Sequence, residues 1–435
     1  MIDPFSIGLM IIVFMLIAVI MSIPIPIAVI SASVVGLTLI EGFDFAGAQM
    51  YMVIWEVGSS YLILNLPLFL FMGQLAYRSG IAADLFNVMY HWLGRFPGGV
   101  NLATVYTATG FGALTGSSLA TVSTIGQVAM PEVKRYNYNE GFSAGCIASA
   151  SVIAILIPPS LPMVIYGLWS ETSIGSLFMA GIIPGLILSI AFSVYIAIRC
   201  WIQPTLGPPA PPIPFREKIR VLPKLIPTLC IIGIVFGGIY AGLFSPTEAS
   251  VIGSSSLLLL ALIMGRLRWA WVSESLLETS RLSLSIFMIF VGGVLLSRFL
   301  VQVEFTEALV DIVNHLFTSP TTFLLALMVV YIFLGAILDS YGMIVLTLPF
   351  VLPSVQSLGI DMITFGIFLT LMIEISLITP PIGLNAFMMQ KITPNLPLWS
   401  IFEGCIPFVI ISIITVLFIV AFPEVVLFLP NLMPS

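Results

Sequence analysis

Long apolar runs without a charged residue set the strongest limit on how this chain can fold. Ile7–Ile23, Gly181–Ile198 and Gly404–Phe422 each extend for about 17 residues or more, which is the length an α-helix needs to cross the hydrocarbon core of a bilayer. These runs are apolar on every side, whereas membrane strands alternate apolar and polar residues. With 59% hydrophobic and 8% charged residues in 435 positions, the chain is predicted to be an all-α polytopic membrane protein.

Hydropathy predicts about ten transmembrane helices and two re-entrant hairpins. The apolar stretches 99–131 and 320–354 are interrupted by small and polar residues near their midpoints, so we interpret each as a hairpin that enters and leaves on one side. Segments 78–95 and 266–281 have the spacing of helices that lie along the membrane surface, with plain loops as the alternative. The predicted spans are 5–22, 24–40, 60–77, 140–168, 174–200, 224–243, 249–265, 282–300, 362–391 and 404–422.

The basic residues give the orientation of these spans. The N-terminal segment has no Lys or Arg before its apolar run, so it is predicted to be a retained span rather than a cleaved signal peptide. If the N-terminus is periplasmic, 13 of the 14 basic residues fall on the cytoplasmic side and only Arg298 lies toward the outside. The predicted outer segments carry acids and no basic residue; they are 41–59, 169–173, 301–315 and 355–361.

A proline-rich segment, 203–223, is predicted to be a cytoplasmic linker between two similar halves, 1–202 and 224–435. In the first half, scaffold helices in 5–77 and a surface helix at 78–95 precede the hairpin 99–131 and the broken helix 140–168. In the second half the order is the same: scaffold helices in 224–265, a surface helix at 266–281, the hairpin 320–354 and the broken helix 362–391.

The two halves match at their least usual motifs. TATGFGALTGSSLATVSTIG precedes ILIPPSLP, and FLGAILDSYGMIVLTLP precedes SLITPPIGL; Ser117 lies 41 residues before Pro158, and Ser340 lies 40 before Pro380. Since the orientation puts the hairpins on opposite sides, the halves are predicted to be inverted repeats. Many secondary transporters have this plan, with sites near the midplane where broken helices meet.

The proline pairs explain what such a site could bind. Pro158-Pro159 and Pro380-Pro381 must interrupt their helices, because proline has no amide hydrogen and its ring clashes with the preceding turn. Unpaired backbone carbonyls in hydrocarbon cost several kcal/mol each. Carbonyls at a break, together with hydroxyls of a hairpin tip, would form an oxygen cage suited to Na⁺, and the neighbouring helix N-termini attract anions.

Candidate residues follow from this arrangement. Alternatives are that the small residues only pack helices closely, that each hydroxyl satisfies its own helix, that Asp339 caps the second hairpin leg, and that Asn385 joins two helices. Glu374 is an intramembrane acid with either a functional role or a backbone or helix partner. Predicted sodium ligands are Thr115, Ser117, Ser118, Thr121, Ile157 and Pro158 at the first site, and Gly335, Asp339, Ser340, Ser376, Thr379 and Pro380 at the second. Tentative substrate contacts are Ser117, Ser160, Gly383 and Asn385.

The motifs resemble one family over essentially the whole chain, the DctM-like large membrane subunit of tripartite ATP-independent periplasmic (TRAP) transporters. The motifs are TGSSLAT (115–121), IPPSLPMVIYG (157–167), GLFSPTEAS (242–250), LGAILDS (334–340) and ITPPIGLN (378–385). The resemblance implies family sodium sites at Thr115 and Ser118 with the first break and at Gly335 and Thr379 with the second. Thr115 stands where serine is common, but the hydroxyl is retained. Glu248 is assigned to the scaffold.

The resemblance also implies an elevator-type fold similar to the ion transporter superfamily, in which hairpins and broken helices slide against the remaining helices. Its function would be sodium-coupled uptake of a small organic anion, a carboxylate or sulfonate, across the bacterial inner membrane. A DctP-like periplasmic binding protein would deliver the substrate, and a separate DctQ-like four-helix subunit would support the scaffold. Two or more Na⁺ ions, no organic cofactor and no transition metal are expected.

Three other functions are alternatives to this one. A stand-alone sodium–dicarboxylate symporter would share this architecture but need no binding protein. An ion channel is disfavoured because opposed hairpins indicate alternating access. An intramembrane enzyme is disfavoured because no HExxH or paired-aspartate motif is present, while His91 and His315 are isolated. The four cysteines are far apart and are interpreted as buried small hydrophobic residues.

Overall fold

The computed structural model describes residues 4–335 and 338–433, and all regular structure in these ranges is helical. The first half contains α1 (Pro4–Ile20), α2 (Ile25–Glu41), α3 (Phe43–Ser59), α4 (Asn65–Arg78), α5 (Ile81–Leu93), α6 (Gly99–Thr115), α7 (Ser118–Arg135), α8 (Glu140–Leu156), α9 (Leu161–Ser170) and α10 (Ile174–Ile202). The second half contains α11 (Phe215–Val221), α12 (Ile226–Tyr240), α13 (Pro246–Ile263), α14 (Trp269–Gln302), α15 (Phe305–Leu316), α16 (Pro320–Leu334), α17 (Ser340–Ser357), α18 (Met362–Ser376), α19 (Leu384–Ile392), α20 (Leu398–Ala421) and α21 (Glu424–Leu427).

The length and composition of these helices fit a multi-pass membrane protein. Among the described residues, six helices are long and apolar enough to cross a bilayer, and up to nine spans result if each bent pair counts as one. The bent pairs are α3 with the segment 61–78, α8 with α9, and α15 with α16, at angles of 60°, 41° and 115° respectively. The number of spans therefore depends on how the interrupted helices are counted, while the helical membrane fold does not.

The helices pack as two groups. In the first, which we call the α14 group, α14 lies along α2 and α4, and α13 packs on α4 and α12. In the second, the α8 group, α8 is contacted by α6, α7, α10, α18, α19 and α20. The groups meet where α4 touches α6 and α9 and where α14 touches α17. Residues from both halves of the sequence take part in both groups.

Small residues explain why α8 is the centre of its group. Its sequence, EGFSAGCIASASVIAIL, is rich in Ala, Ser and Gly, and almost all of its residues are buried. A methyl group on Gly145 would lie only 2.2 Å from the carbonyl carbon of Gly404 on α20. Such close backbone approach is typical of helix packing in membranes, where small residues replace hydrophobic side chains at the interface.

Three predicted boundaries differ from the structure. Each was placed where the amino-acid composition changes, but such a change does not end or prevent a helix. The proposed surface helix 266–281 and span 282–300 form one helix, α14, since no proline or glycine separates them before Gly292. Residues 41–59, expected to be an outer loop, contain α3, and the outer segment 301–315 contains most of α15. Charged and aromatic residues mark the membrane boundary, but they do not end a helix.

The linker and two helices of the α8 group also differ from expectation. The prolines of the linker end at Pro214, after which α11 forms and continues through a 3₁₀ turn, Leu222–Leu225, toward α12. Helices α10 and α20, expected with the scaffold, instead pack on α8. Glu248, whose role was open, accepts the Ser245 amide at 2.7 Å and completes a capping box at the start of α13.

An ionic cluster ties α5 to the segments that precede α12 and α14. The buried Asp84 carboxylate lies 2.6 Å from Arg266 and 3.8 Å from Lys224. We expect Asp84→Asn to lower the thermal midpoint of unfolding in detergent. The free energy of unfolding should fall by about 1–2 kcal/mol, because this one carboxylate pairs with both cations. The control is Glu278→Gln, which removes only an exposed pair with Arg281 on α14. Equal midpoints for the two variants would show that the Asp84 cluster adds no stability.

Candidate functional site

The first proline pair separates α8 from α9. The backbone leaves the helix at Ile157 and re-enters it at Leu161, with Ser160 as the N-cap residue of α9. The Ser160 hydroxyl is buried and accepts the Met163 amide at 3.4 Å. The sequence therefore breaks this helix where the prolines predict, and the restart has its own cap.

The tip of the first hairpin lies against this break. α6 ends at Thr115 and α7 begins at Ser118, with Gly116 between them in the left-handed region at φ +59°. A methyl group on Gly116 would lie 2.6 Å from the Pro159 carbonyl oxygen, and the Leu161 amide points at the Gly116 carbonyl at 3.5 Å. The tip and the break, which are some 40 residues apart in sequence, thus form one compact unit.

The predicted ligands of the first site are brought together in this unit. The hydroxyl oxygens of Thr115 and Thr121 are 3.2 Å apart, and Thr121 also donates to the Ser117 carbonyl at 2.8 Å. Ser117 caps α7 by accepting the Ala120 amide, and Ser118 is buried in the first turn of that helix. Ile157 and Pro158 lie in the adjoining non-helical segment. Several of these hydroxyls therefore satisfy their own helices while also lining the tip.

The second break follows α18 and is longer. After Ser376 the chain forms a tighter turn. The amides of Leu377, Ile378 and Thr379 each donate to the carbonyl oxygen three residues earlier, at 3.2 Å. The Ser376 hydroxyl donates to Ile373 at 2.5 Å and the Thr379 hydroxyl donates to Ile375 at 2.7 Å. Pro380 follows in the turn that leads to α19.

The second hairpin also contacts its break. A methyl group on Gly335 would lie 1.9 Å from the Ser376 Cβ atom, so the Gly335 backbone packs directly against the Ser376 side chain. Asp339 caps α17 by accepting the Gly342 amide at 3.2 Å, as the alternative interpretation of this acid required. Residues 336–337, which belong to the LGAILDS motif, lie outside the described ranges.

Both hairpin tips and both broken helices meet at one small cavity of about 40 Å³. Its lining includes the buried carboxyl group of Glu374, whose side chain is 1% exposed. The sequence motifs indicated each tip and its break, but not that the two units would share a cavity. The lining residues are Ser117, Ser118, Leu119, Ile155, Pro162, Asp339, Ser340, Tyr341, Glu374 and Leu384.

A larger cavity of about 260 Å³ adjoins it at the interface between the α8 and α14 groups. Ser117, Leu119 and Tyr341 line both cavities. On the side of the α14 group, the larger cavity is lined by residues of α4, including Gly73. A methyl group on Gly73 would lie 2.6 Å from the Thr115 carbonyl oxygen, so α4 packs directly against the first hairpin tip. Sequence reasoning missed Tyr341 and the α4 residues, because nothing in their motifs shows which surface they face. The remaining lining residues are Leu70, Gln74, Tyr77, Thr115, Ala120, Ser123, Leu282 and Met388.

Of the four tentative substrate contacts, only Ser117 lines either cavity. Ser160 is a buried cap, and Gly383, at φ +55°, packs against the Phe402 ring, which lies 2.6 Å from where its methyl group would be. The Asn385 amide donates to the Ser151 hydroxyl at 2.9 Å, joining α19 to α8. In this conformation these three residues cap a helix or hold helices together.

Among the described residues, no group of three or more His, Cys, Asp or Glu side chains is placed to hold a metal ion. The polar atoms that converge on the small cavity are hydroxyl and carboxylate oxygens. Such a donor set suits hard cations rather than transition metals.

Comparisons with known proteins agree with this architecture. The family model described as "Tripartite ATP-independent periplasmic transporter, DctM component" matches residues 8–425. The C4-dicarboxylate TRAP transporter large permease protein DctM of Pseudomonas aeruginosa is 33% identical over 379 residues, which cover 87% of this chain and 88% of that protein. The sialic acid TRAP transporter large permease protein SiaM of Vibrio cholerae is 29% identical, with 91% of each chain covered.

Among solved structures, the YdaH transporter of Alcanivorax borkumensis superposes with a TM-score of 0.66. The match covers 92% of this chain and 91% of that one at 14% sequence identity. At this identity the likeness concerns the fold alone.

Proposed function

This chain belongs to the DctM component family of tripartite ATP-independent periplasmic transporters, and from that premise we propose that it imports a small organic anion at the expense of a sodium gradient. It is a multi-pass membrane transport protein rather than an enzyme. The observation that supports the proposal most directly is the meeting of two hairpin tips and two broken helices around one cavity. Opposed half-helices around a central site are the usual plan of secondary transporters.

Sodium ions are proposed to bind where each tip contacts its break. At the first contact, Thr115, Ser118 and Thr121 belong to the hairpin tip whose Gly116 packs against Pro159 in the non-helical segment 157–160. At the second, Gly335 and Thr379 lie beside the end of α18, together with Ser376. Non-helical backbone inside a membrane requires partners for its carbonyls, and an ion held with these hydroxyls would supply them.

The substrate is proposed to occupy the larger cavity. Its volume of about 260 Å³ is close to the lower end of the range for small-molecule sites, about 300–1,000 Å³. The N-terminus of α7 begins at Ser118, next to Ser117 in the cavity wall, and helix N-termini attract anions. Two relatives carry the names of C4-dicarboxylate and sialic acid transporters, which supports a carboxylate or a similar small anion.

Alternating access is proposed to move the α8 group relative to the α14 group. The larger cavity lies between the groups, and among the described residues α4, α12 and α14 make most of the contacts from the α14 group to the hairpins and broken helices. Such a limited interface permits one group to slide while each keeps its own packing. A DctQ-like subunit would support the α14 group, and a DctP-like protein would deliver the substrate from the periplasmic side of the inner membrane.

Reconstitution tests these proposals together. Proteoliposomes containing this chain and its small subunit are supplied with a DctP-like binding protein, a candidate carboxylate and an inward sodium gradient. Accumulation that needs both the gradient and the binding protein is the expected result. Accumulation without the binding protein would support the stand-alone symporter instead, and conductance without sodium coupling would support a channel.

The sodium assignment predicts the effect of two substitutions. We expect Ser118→Ala and Thr379→Ala each to raise the sodium concentration for half-maximal uptake about fivefold to tenfold, equivalent to roughly 1 kcal/mol per lost ligand. Thr370→Ala is the control for Thr379, because Thr370 also donates to a carbonyl four residues back on α18. Ser193→Ala on α10 is the control for Ser118. Sodium activation curves that match the wild type in both site variants would contradict the assignment.

A further inference from the structure

Glu374 is a buried acid for which the two proposed sodium sites give no role. Its side chain is 1% exposed, and neither carboxylate oxygen has a hydrogen-bond partner at bonding distance among the described residues. Ser118 and Ser340 line the same small cavity as this carboxyl group. An unpaired carboxylate in such surroundings is costly, so buried charges are normally paired or bind a metal ion.

The position of Glu374 on its helix increases this cost. It lies in the last turn of α18, where the helix dipole favours cations and disfavours a carboxylate. The other groups facing it are Asp339, already engaged in capping α17, and the Tyr341 ring. The described residues that line this cavity include no Lys, Arg or His. Nothing in its described lining therefore neutralises the Glu374 charge.

The cavity is suited to a small cation. Its volume of about 40 Å³ is enough for one or two water-sized species but far below that of a small-molecule site. The polar groups facing it come from both hairpin tips and from α18: Ser117 and Ser118, Asp339 and Ser340, and Glu374. Oxygen ligands that include a carboxylate are the donors that hard cations prefer.

We propose that Glu374, with the hydroxyls of Ser118 and Ser340, binds an additional sodium ion between the two hairpin tips. This inference rests on the proposed sodium-coupled uptake and adds a third ion to the two held at the breaks. The site shares Ser118 with the first predicted sodium site and Ser340 with the second. At this site, ligands from both halves of the chain would reach a single ion.

The third ion explains how sodium and an anionic substrate can depend on each other. Ser117, Leu119 and Tyr341 separate the small cavity from the larger one, which is the proposed substrate compartment. Without a cation, the carboxylate of Glu374 would repel an anion placed there, at close range and with little screening. With the ion bound, the charge is neutralised and both tips are held in place, so binding of either species favours the other.

The test is to count ions in the assembled transporter. In proteoliposomes with the small subunit and binding protein, sodium-22 and labelled substrate fluxes give the number of Na⁺ ions per substrate. Glu374→Gln preserves the shape of the side chain and is expected to lower this number by one, whereas the exposed Glu424→Gln is expected to leave it unchanged. For a variant that binds without transporting, equilibrium binding of sodium-22 to the purified complex gives the same count. Ser340→Ala, which leaves the carboxylate in place, is expected to weaken binding of one ion about tenfold.

Two results would overturn the proposal, and they differ from a failure of the proposed function. An unchanged ion count in Glu374→Gln would show that the carboxyl group is neutral or serves only to join the two tips. An unchanged sodium affinity in Ser340→Ala would show that the second hairpin tip does not contribute a ligand to the ion. By contrast, absence of any sodium dependence in the wild-type complex would contradict sodium-coupled uptake itself and remove this third ion with it.

Discussion

Gly116→Ala is expected to reduce sodium-driven uptake at least tenfold in a protein that still folds and assembles. Gly116 adopts φ +59°, and the added methyl group would lie 2.6 Å from the Pro159 carbonyl oxygen. The left-handed backbone alone costs alanine roughly 1–2 kcal/mol, and relief of the contact would move the hairpin tip away from the break. Because we place the first sodium ion between these two segments, its binding should weaken. Sodium activation of uptake in proteoliposomes measures the effect.

The control for this substitution isolates the contact from the backbone strain. Gly242 has a similar conformation, φ +68°, but no atom within 4 Å of the position a methyl group would take. Gly242→Ala should therefore carry the strain without disturbing any neighbour, and uptake should stay near the wild-type rate. If Gly116→Ala also transports normally with an unchanged sodium requirement, the contact between tip and break is dispensable for ion binding.

The second large effect is expected on stability. In Gly145→Ala the new methyl group would lie 2.2 Å from the Gly404 carbonyl carbon, so α8 and α20 must separate. Overpacking of this kind typically costs about 1–3 kcal/mol, and here the obstacle is backbone that cannot rotate away. We expect the thermal midpoint in detergent to fall by several degrees and the yield of monodisperse protein to drop.

Gly237→Ala on α12 is the matched control for Gly145. It is also a helical glycine, but no atom lies within 4 Å of the position of its added methyl group. Since alanine favours helix more than glycine does, this variant is expected to be as stable as the wild type or slightly more so. Equal midpoints for the Gly145 and Gly237 variants would show that α8 and α20 can adjust at little cost.

The breaks and hairpins could be predicted from sequence because their causes are local. Single prolines such as Pro184 and Pro407 lie inside continuous helices, but a proline pair removes two neighbouring amide donors and interrupts its helix. The predicted breaks at Pro158 and Pro380 are observed between α8 and α9 and between α18 and α19. Asp339 was considered as a helix cap from its position alone, and it is one. Family membership was likewise indicated by short motifs and is confirmed by the match over residues 8–425.

Other features depend on which helix surfaces pack against each other, and such contacts between distant segments cannot be inferred from a single sequence. Asn385 had two open interpretations, a substrate contact or a link between two helices, and in this structure its amide donates to Ser151 in the other half of the chain. Glu374 was recognised as an unusual acid, yet its cavity requires Ser118 and Ser340 to be brought to the same place by tertiary packing. The continuity of α14 was missed because its charged first third resembles a separate surface helix.

That continuity limits the kinds of motion open to the protein. A helix of 34 residues is about 50 Å long, well beyond the hydrocarbon thickness of roughly 30 Å. Near one end Glu274 pairs with Arg78 at the end of α4, and near the other Arg298 pairs with Glu56 on α3. These two pairs hold both ends of α14 to neighbouring helices. In the proposed alternating access, α14 would therefore stay fixed while the α8 group moves along it.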